Sequence, residues 1–192
     1  MKRAVAACLC LLGLPVSAQD SEAPYAGQDV REIAALSQDD IAVLLDGGGW
    51  GLALPAELNG YPGPSHVLEL AETLDLSSAQ RDAVSEIFGR MREDARRLGA
   101  EYVAAEAHID RLFETGHADA DILSAVLDDS AETLAALRRV HLTAHLEVTP
   151  LLSDGQRARY AEVRGYGADG SEAGDHSGMD HSGMDHAGHG GQ

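Results

Sequence analysis

The last part of this chain repeats a five-residue unit that carries metal-binding side chains. The unit occupies 175–179, 180–184 and 185–189, and each copy begins with Asp-His and has glycine at its fourth position. Imidazole nitrogens bind copper, zinc and nickel, and thioether sulfur selects Cu(I). Glycine between the donors lets the chain fold around an ion at little steric cost. The repeat therefore predicts a metal-binding tail, with copper as the main ion and zinc or nickel as the other candidates, through His176, Met179, His181, Met184, His186 and His189.

An inert tail that only keeps the chain soluble is the other interpretation of this repeat. The segment is rich in glycine and polar residues from about residue 165 onward. Such a composition buries too little apolar surface to fold by itself, so we expect the tail at 168–192 to be disordered.

A second pair of imidazoles lies within a helical pattern. His141 and His145 are four residues apart, so they share one helix face and could bind a single ion. His66, or a carboxylate such as Glu69, would complete this site if the short helix that carries both residues packs nearby. The face is continuous with an apolar stripe, so two packed, hydrogen-bonded histidines are the alternative interpretation.

The first 18 residues match a secretory signal peptide. Lys2 and Arg3 precede an apolar run at 4–14, which is too short to span a bilayer, and 16–18 resembles an A-x-A cleavage site. We expect cleavage after Ala18 and a periplasmic location. Cys8 and Cys10 are the only cysteines, so the mature chain would contain neither a disulfide nor a thiolate.

The composition of the chain limits the possible fold classes and binding partners. The net charge is −18 with histidine neutral, and it becomes more negative once Lys2 and Arg3 are removed with the signal. This charge argues against nucleic acid or an anionic membrane as a partner. Aromatic residues make up 4% of the chain, and alternating β-branched runs are absent, which favours an all-α fold. No catalytic motif is found in the sequence, so we do not expect an enzyme.

Two long helices dominate the sequence pattern. Apolar residues recur at alternating spacings of four and three over 84–112, which predicts a helix spanning roughly 40 Å that needs a second helix to cover its stripe. The stripe comprises Val84, Phe88, Met91, Ala95, Leu98, Tyr102, Ala105, Ile109 and Leu112. A second, more polar stripe runs through Leu123, Val126, Ser130, Leu134, Leu137, His141, Ala144 and Val148. The short loop near Gly116 predicts an antiparallel hairpin.

Helix starts are marked by repeated capping signals. Ser77 with Gln80, and Ser153 with Gln156, form capping boxes that predict the starts of the first long helix and of a last helix ending at Arg164. A short capped helix is expected before the glycines at 47–49, and a further helix at 66–75 with Ser65 as its cap. Trp50 is expected to pack at the edge of a core.

The two L-S-x-x-Q boxes, the signal peptide, the long hairpin and the short last helix resemble the LTxxQ family of periplasmic proteins. The resemblance covers about 65–167, and the segments 59–64, 141–146 and 164–166 are similar to a subgroup usually labelled refolding chaperone or heavy-metal sensor. It implies a Spy/CpxP-like four-helix protomer that dimerises. The expected organisation is a signal peptide (1–18), a leader with a short helix and a Gly/Pro-rich joint (19–64), a helical domain (65–167) and a metal-binding tail (168–192).

The resemblance and the repeat of the tail together leave three candidate functions. The first is a periplasmic heavy-metal-binding and metal-responsive protein, related to ZraP- and CnrX-like sensors. The second is an ATP-independent chaperone that binds unfolded exported proteins. The third is a regulatory module that docks on a membrane sensor in envelope-stress signalling.

Overall fold

The computed structural model describes residue 25, residues 27–28 and residues 30–166. The predicted signal peptide and the six predicted tail ligands lie outside these residues. The described part of the chain is all-α, as the sequence predicts. Its six helices are α1 (Gln38–Asp46), α2 (Leu54–Glu57), α3 (Pro64–Glu69), α4 (Ser78–Glu114), α5 (Ala120–Val148) and α6 (Asp154–Arg164), with a 3-10 turn at Thr149–Leu151 before α6.

The helices α4 and α5 form the predicted antiparallel hairpin. All nine predicted stripe positions of α4 are buried or half-buried, and so are the eight positions of α5. Two polar contacts join α4 to α5. Arg90 pairs with Glu147 at 3.0 Å, and nearer the loop the Ser130 hydroxyl donates a hydrogen bond to Glu106 at 2.7 Å. These two contacts fix the antiparallel register over several turns.

Two apolar clusters lie along the hairpin. The first joins Val67, Leu74, Val84, Val148 and Tyr160 near the starts of α4 and α6. The second joins Ile33, Leu36, Leu44, Leu98 and Leu137 further along the hairpin. The segment that was predicted as a leader therefore packs on the hairpin from Ile33 onward. Trp50 lies at the edge of the second cluster, as predicted, with its ring centroid 5.8 Å from that of Tyr102.

Both ends of the helix α1 have the capping residues that the sequence predicts. Ser37 caps its start, and Gly47 ends it with a left-handed φ of 76°. The Ser37 hydroxyl and the Trp50 indole both donate to Asp40, and these hydrogen bonds lower the pKa of its carboxyl to about 2. The same carboxylate therefore joins the helix cap to the core-edge tryptophan.

The prediction for α3 is wrong in both of its bounds. The helix was expected at 66–75 with Ser65 as its cap, but it begins at Pro64 after Gly63 and ends at Glu69. Proline has no N–H and a preset φ, so it suits the first turn of a helix. The residues that follow form turns that still bury Ala71 and Leu74, and Asp75 has a left-handed φ of 49°.

The two predicted capping boxes dock on each other. Both boxes are complete, and in each the serine hydroxyl accepts a hydrogen bond from the backbone N–H of the glutamine. The side-chain amide of Gln80 also donates to Gln156 Oε1 at 2.9 Å, and the side-chain amide of Gln156 donates to Gln80 Oε1 at 3.2 Å. Their remaining N–H groups reach Leu151 O at 2.8 Å and Leu74 O at 3.1 Å. We call this arrangement the glutamine pair.

A double-mutant cycle on the glutamine pair tests whether it couples α4 to α6. We expect Gln80→Ala and Gln156→Ala each to lower the free energy of unfolding by about 1–3 kcal/mol, because each leaves partly buried groups without a partner. The double variant should lose less than the sum of the two, by at least about 0.5 kcal/mol. Urea unfolding measures all four proteins. Additive losses would contradict the coupling, and Gln80→Ala combined with the exposed Gln38→Ala is the additive control.

The end of α1 approaches α4 so closely that only glycine fits at position 99. A Cβ atom built on Gly99 would lie 2.2 Å from the carbonyl oxygen of Leu44. Gly89, also within α4, has nothing within 4 Å of such an atom. Lack of space therefore requires glycine at position 99 but not at position 89, although the sequence alone presents both as weak points of a helix.

Alanine substitutions at these glycines should have opposite effects. Gly99→Ala should destabilise the protein by about 1–3 kcal/mol, because its methyl group overlaps the α1 backbone. Gly89→Ala should stabilise it by about 0.5–1 kcal/mol, since it only restricts the unfolded chain and improves helix propensity. Thermal unfolding of the two variants is the measurement. A neutral or stabilising Gly99→Ala would contradict the described docking of α1.

Candidate metal centre

A pocket of about 390 Å³ opens where the segment from α1 to α3 meets the hairpin. Three of the predicted site residues, His66, His141 and His145, line it together with Met91 of α4. The two α5 histidines reach this wall because their spacing of four residues puts both on the buried face of α5. The structure therefore gathers side chains that are separated by up to 79 positions in the sequence.

The buried imidazole of His141 has a nitrogen without a partner. Its side chain belongs to a residue that is only 3% exposed, and Nε2 makes no hydrogen bond. Among the buried side-chain nitrogen and oxygen atoms of the described residues, it alone is left unsatisfied. Burial, and then the nearby His145, lower the pKa of His141, outweighing a backbone contact with Gly48. A neutral imidazole is the form that binds a metal ion.

The ring of His145 is held in one orientation. Its Nδ1 lies 2.7 Å from the carbonyl oxygen of Tyr61, and a carbonyl only accepts, so Nδ1 donates this hydrogen bond and the neutral tautomer has its lone pair on Nε2. Gly63 makes room for this ring, since a Cβ atom there would lie 2.8 Å from His145 Cε1. Histidines that bind metals commonly donate their other ring nitrogen to a carbonyl in this way.

His66 takes part in a different set of contacts. Its side chain is 37% exposed, with Nδ1 at 3.2 Å from Glu57 Oε1 and Nε2 at 3.5 Å from an Arg164 nitrogen. Among the residues that the structure describes, no three His, Cys, Asp or Glu side chains are grouped so that they could hold one ion. His66 therefore lines the same pocket as the α5 pair without forming a three-residue site with it.

Glu69 does not serve as the carboxylate of this region. It is exposed and accepts a hydrogen bond from Ser65 at 3.1 Å. The buried carboxylate is Glu57, which is 6% exposed at the end of α2. Nothing in the sequence marks this glutamate, because it precedes a Gly/Pro-rich turn and belongs to no motif.

Glu57 is the centre of a network behind the part of the pocket wall that Gly63, His66 and His145 form. Its carboxylate accepts from the Gly63 amide at 3.2 Å, from the Tyr166 hydroxyl at 3.2 Å and from the Tyr160 hydroxyl. Burial and the Glu57 carboxylate raise the pKa of Tyr160, so this phenol stays protonated and donates. Arg164 Nε and His145 Nδ1 each lie 3.7 Å from the same carboxylate. The network joins α2 and α3 to α6 and supports the ring of His145.

The remaining charged residues near the pocket are paired with one another. Asp46 at the end of α1 binds both Arg92 and Arg96, and these hydrogen bonds lower the pKa of its carboxyl. Arg97 pairs with Asp94 and Glu101 on the solvent-exposed face of α4. The other two histidines of the described residues, His108 and His117, are exposed and do not line the pocket.

Comparison of the chain with protein-family models, with curated proteins and with solved structures found no match. None of the helices in the described part of the chain combines the length and the apolar character that a membrane crossing requires.

Leucine substitutions can separate a structural from a functional role for the two α5 histidines. We expect His141→Leu to change the free energy of unfolding by less than about 1 kcal/mol, or to raise it, because the variant removes a buried nitrogen that has no partner. His145→Leu should lower the free energy of unfolding by about 1–3 kcal/mol, since it leaves the Tyr61 carbonyl without its donor. Chemical unfolding of the metal-free proteins is the measurement. Strong destabilisation by His141→Leu would indicate that His141 mainly supports the fold.

Proposed function

We propose that this protein is an exported, copper-binding and metal-responsive protein built on an LTxxQ-type helical hairpin. The observation that carries the proposal is the unpaired Nε2 of His141, buried beside His145 in a pocket. A buried polar atom without a partner is costly. A bound ion would satisfy this nitrogen.

The tail is the second part of the proposed metal-binding system. Its repeats supply imidazoles and thioethers, a donor set that suits copper where cysteine is absent. The last described residues lie beside the pocket, because Arg164 contacts His66 and Tyr166 contacts Glu57. Nine residues separate Tyr166 from His176, and an extended chain of that length reaches about 30 Å. The tail donors are therefore within reach of the pocket.

The resemblance to the LTxxQ family supplies the rest of the proposal. It favours a periplasmic location, a homodimer and a membrane sensor as the partner that reads the metal-bound state. The complete capping boxes at Ser77 and Ser153 support this assignment, since they mark the starts of α4 and α6. Zinc and nickel are the other ions that these donors would accept.

A chaperone for unfolded exported proteins is the second candidate function. Large apolar side chains are exposed near the loop of the hairpin, with Phe113 at 60%, Leu127 at 47% and Ile122 at 43%. Exposed apolar surface of this kind can bind unfolded chains. This candidate does not need the metal ligands, so protection of a denatured client that survives removal of all of them would favour it.

Copper titration of matched variants tests the proposed function. The chain lacking 174–192 should lose the copper ions that the tail binds. The chain carrying His141→Leu and His145→Leu should lose the copper ion that the pocket binds. Combining both changes should abolish binding, because imidazole and thioether donors are then removed from both places. Isothermal titration gives the stoichiometry of each variant. The double variant of the exposed His108 and His117 to alanine is the matched control and should bind like the unaltered chain.

Three outcomes would contradict the proposal in part or as a whole. Equal copper binding with and without the tail would show that the tail is not a copper site. Absence of copper binding to the unaltered chain would contradict the whole proposal. A pocket variant that binds normally but unfolds more easily would show that the α5 histidines are packing residues.

A further inference from the structure

Met91 is the one methionine among the described residues, and it lies at the candidate metal centre. The four methionines of the chain are Met1, Met91, Met179 and Met184. The side chain of Met91 lines the same pocket as His141 and His145. From the sequence alone it counted only as one apolar member of the α4 stripe.

Two further contacts place Met91 opposite the turn of α5 that carries both histidines. It packs against the first apolar cluster, which includes Ala144. It also lines a smaller cavity, on another side of the α4–α5 seam, together with Val140 and Ala144. Met91 is half-buried and lines both cavities. Its neighbours on α5 therefore include Val140 and Ala144, the residues immediately before His141 and His145.

The donors available in the pocket favour a soft ion. The histidines provide two imidazole nitrogens, and no third His, Cys, Asp or Glu joins them within the described residues. A hard or borderline ion such as Zn²⁺ usually takes four ligands in a structural site. Cu(I) accepts few ligands and binds thioether sulfur well.

We propose that Met91 supplies a thioether ligand to the pocket and that His141, His145 and Met91 together form a site selective for Cu(I). This inference rests on the proposed function, because it assumes that the α5 histidines bind metal. The surroundings fit the site. His145 is oriented by its hydrogen bond to the Tyr61 carbonyl, and the buried Glu57 carboxylate lies 3.7 Å from the same ring nitrogen, Nδ1.

The experiment uses the full-length chain with the tail donors replaced, so that only the pocket binds. Met179 and Met184 become leucine, and His176, His181, His186 and His189 become alanine. Cu(I) is supplied anaerobically with excess ascorbate, and its affinity is measured by competition with a chromogenic chelator. Met91→Leu should lower the affinity for Cu(I) by about 10- to 100-fold, whereas binding of Zn²⁺ should change by less than about twofold, because zinc makes little use of thioethers.

Controls separate loss of a ligand from loss of packing. Leucine has nearly the volume of methionine, so Met91→Leu should fold normally. Phe88→Leu alters another apolar wall of the pocket without removing a donor, and it should leave the affinity for Cu(I) unchanged. His141→Leu in the same background should lower the affinity for Cu(I) and for Zn²⁺ alike.

Selenium spectroscopy provides a second readout that does not depend on a substitution at position 91. After selenomethionine labelling of the tail-replaced chain, Met1 and Met91 are the only methionines left, and Met1 lies in the predicted signal. X-ray absorption at the selenium edge should then show a copper neighbour in the Cu(I)-loaded protein. Selenium without a copper neighbour would overturn the inference.

The outcomes also distinguish the inference from the proposed function. If His141→Leu lowers the affinity for Cu(I) and Met91→Leu does not, the histidine pocket stands and the thioether ligand is wrong. If neither substitution changes the affinity, both the Cu(I) site and the pocket as a metal centre are overturned.

Discussion

The reciprocal contact between Gln80 and Gln156 is the interaction on which the rest of the structure depends. Each side-chain amide completes a capping box, donates to the other glutamine and caps a carbonyl of the segment before the other helix. A glutamate could not replace either residue, since it has no N–H to donate. Both cysteines of the chain lie within the first ten residues, so no disulfide joins the described helices. The glutamine pair holds the start of α6 against the start of α4 through hydrogen bonds, beside the first apolar cluster.

The position of α6 in turn supports the loop around Gly63 that lines the pocket. With its start held by the glutamine pair, α6 carries Tyr160 and the following Tyr166 to the buried Glu57 carboxylate. A buried charge is tolerated only when hydrogen bonds and a counter-charge compensate its loss of water, and Arg164 supplies the counter-charge. The Glu57 network then holds the loop around Gly63, against which the ring of His145 packs. The geometry of the histidine pair therefore depends both on Glu57, 88 positions before His145, and on the helix that follows α5.

The parts of this fold that could be predicted are those determined by local sequence. The α4 stripe, the hairpin and the caps at Ser37, Ser77 and Ser153 follow from periodicity and capping chemistry, which act within a few residues. The glutamine pair, the Gly99–Leu44 approach and the Glu57 network depend on contacts between residues 55 to 109 positions apart, and no spacing rule reaches that far. The end of α3 was missed because its apolar pattern continues through turns. For the site, the His141–His145 spacing was informative, whereas Met91 could not be told from a packing residue.

The stripe of α5 offers a physical reason to regard His141 as more than a packing residue. Its neighbours along the stripe, Leu137 and Ala144, are apolar and almost completely buried, so a leucine at position 141 would complete the seam at no polar cost. Histidine at this position leaves a buried nitrogen without a partner, which costs about 1–3 kcal/mol by comparison with other buried polar groups. His145, one turn later, recovers part of such a cost through its hydrogen bond to Tyr61. A stripe that needed only to pack would have no use for the imidazole of His141, whereas the proposed metal site would use its free lone pair.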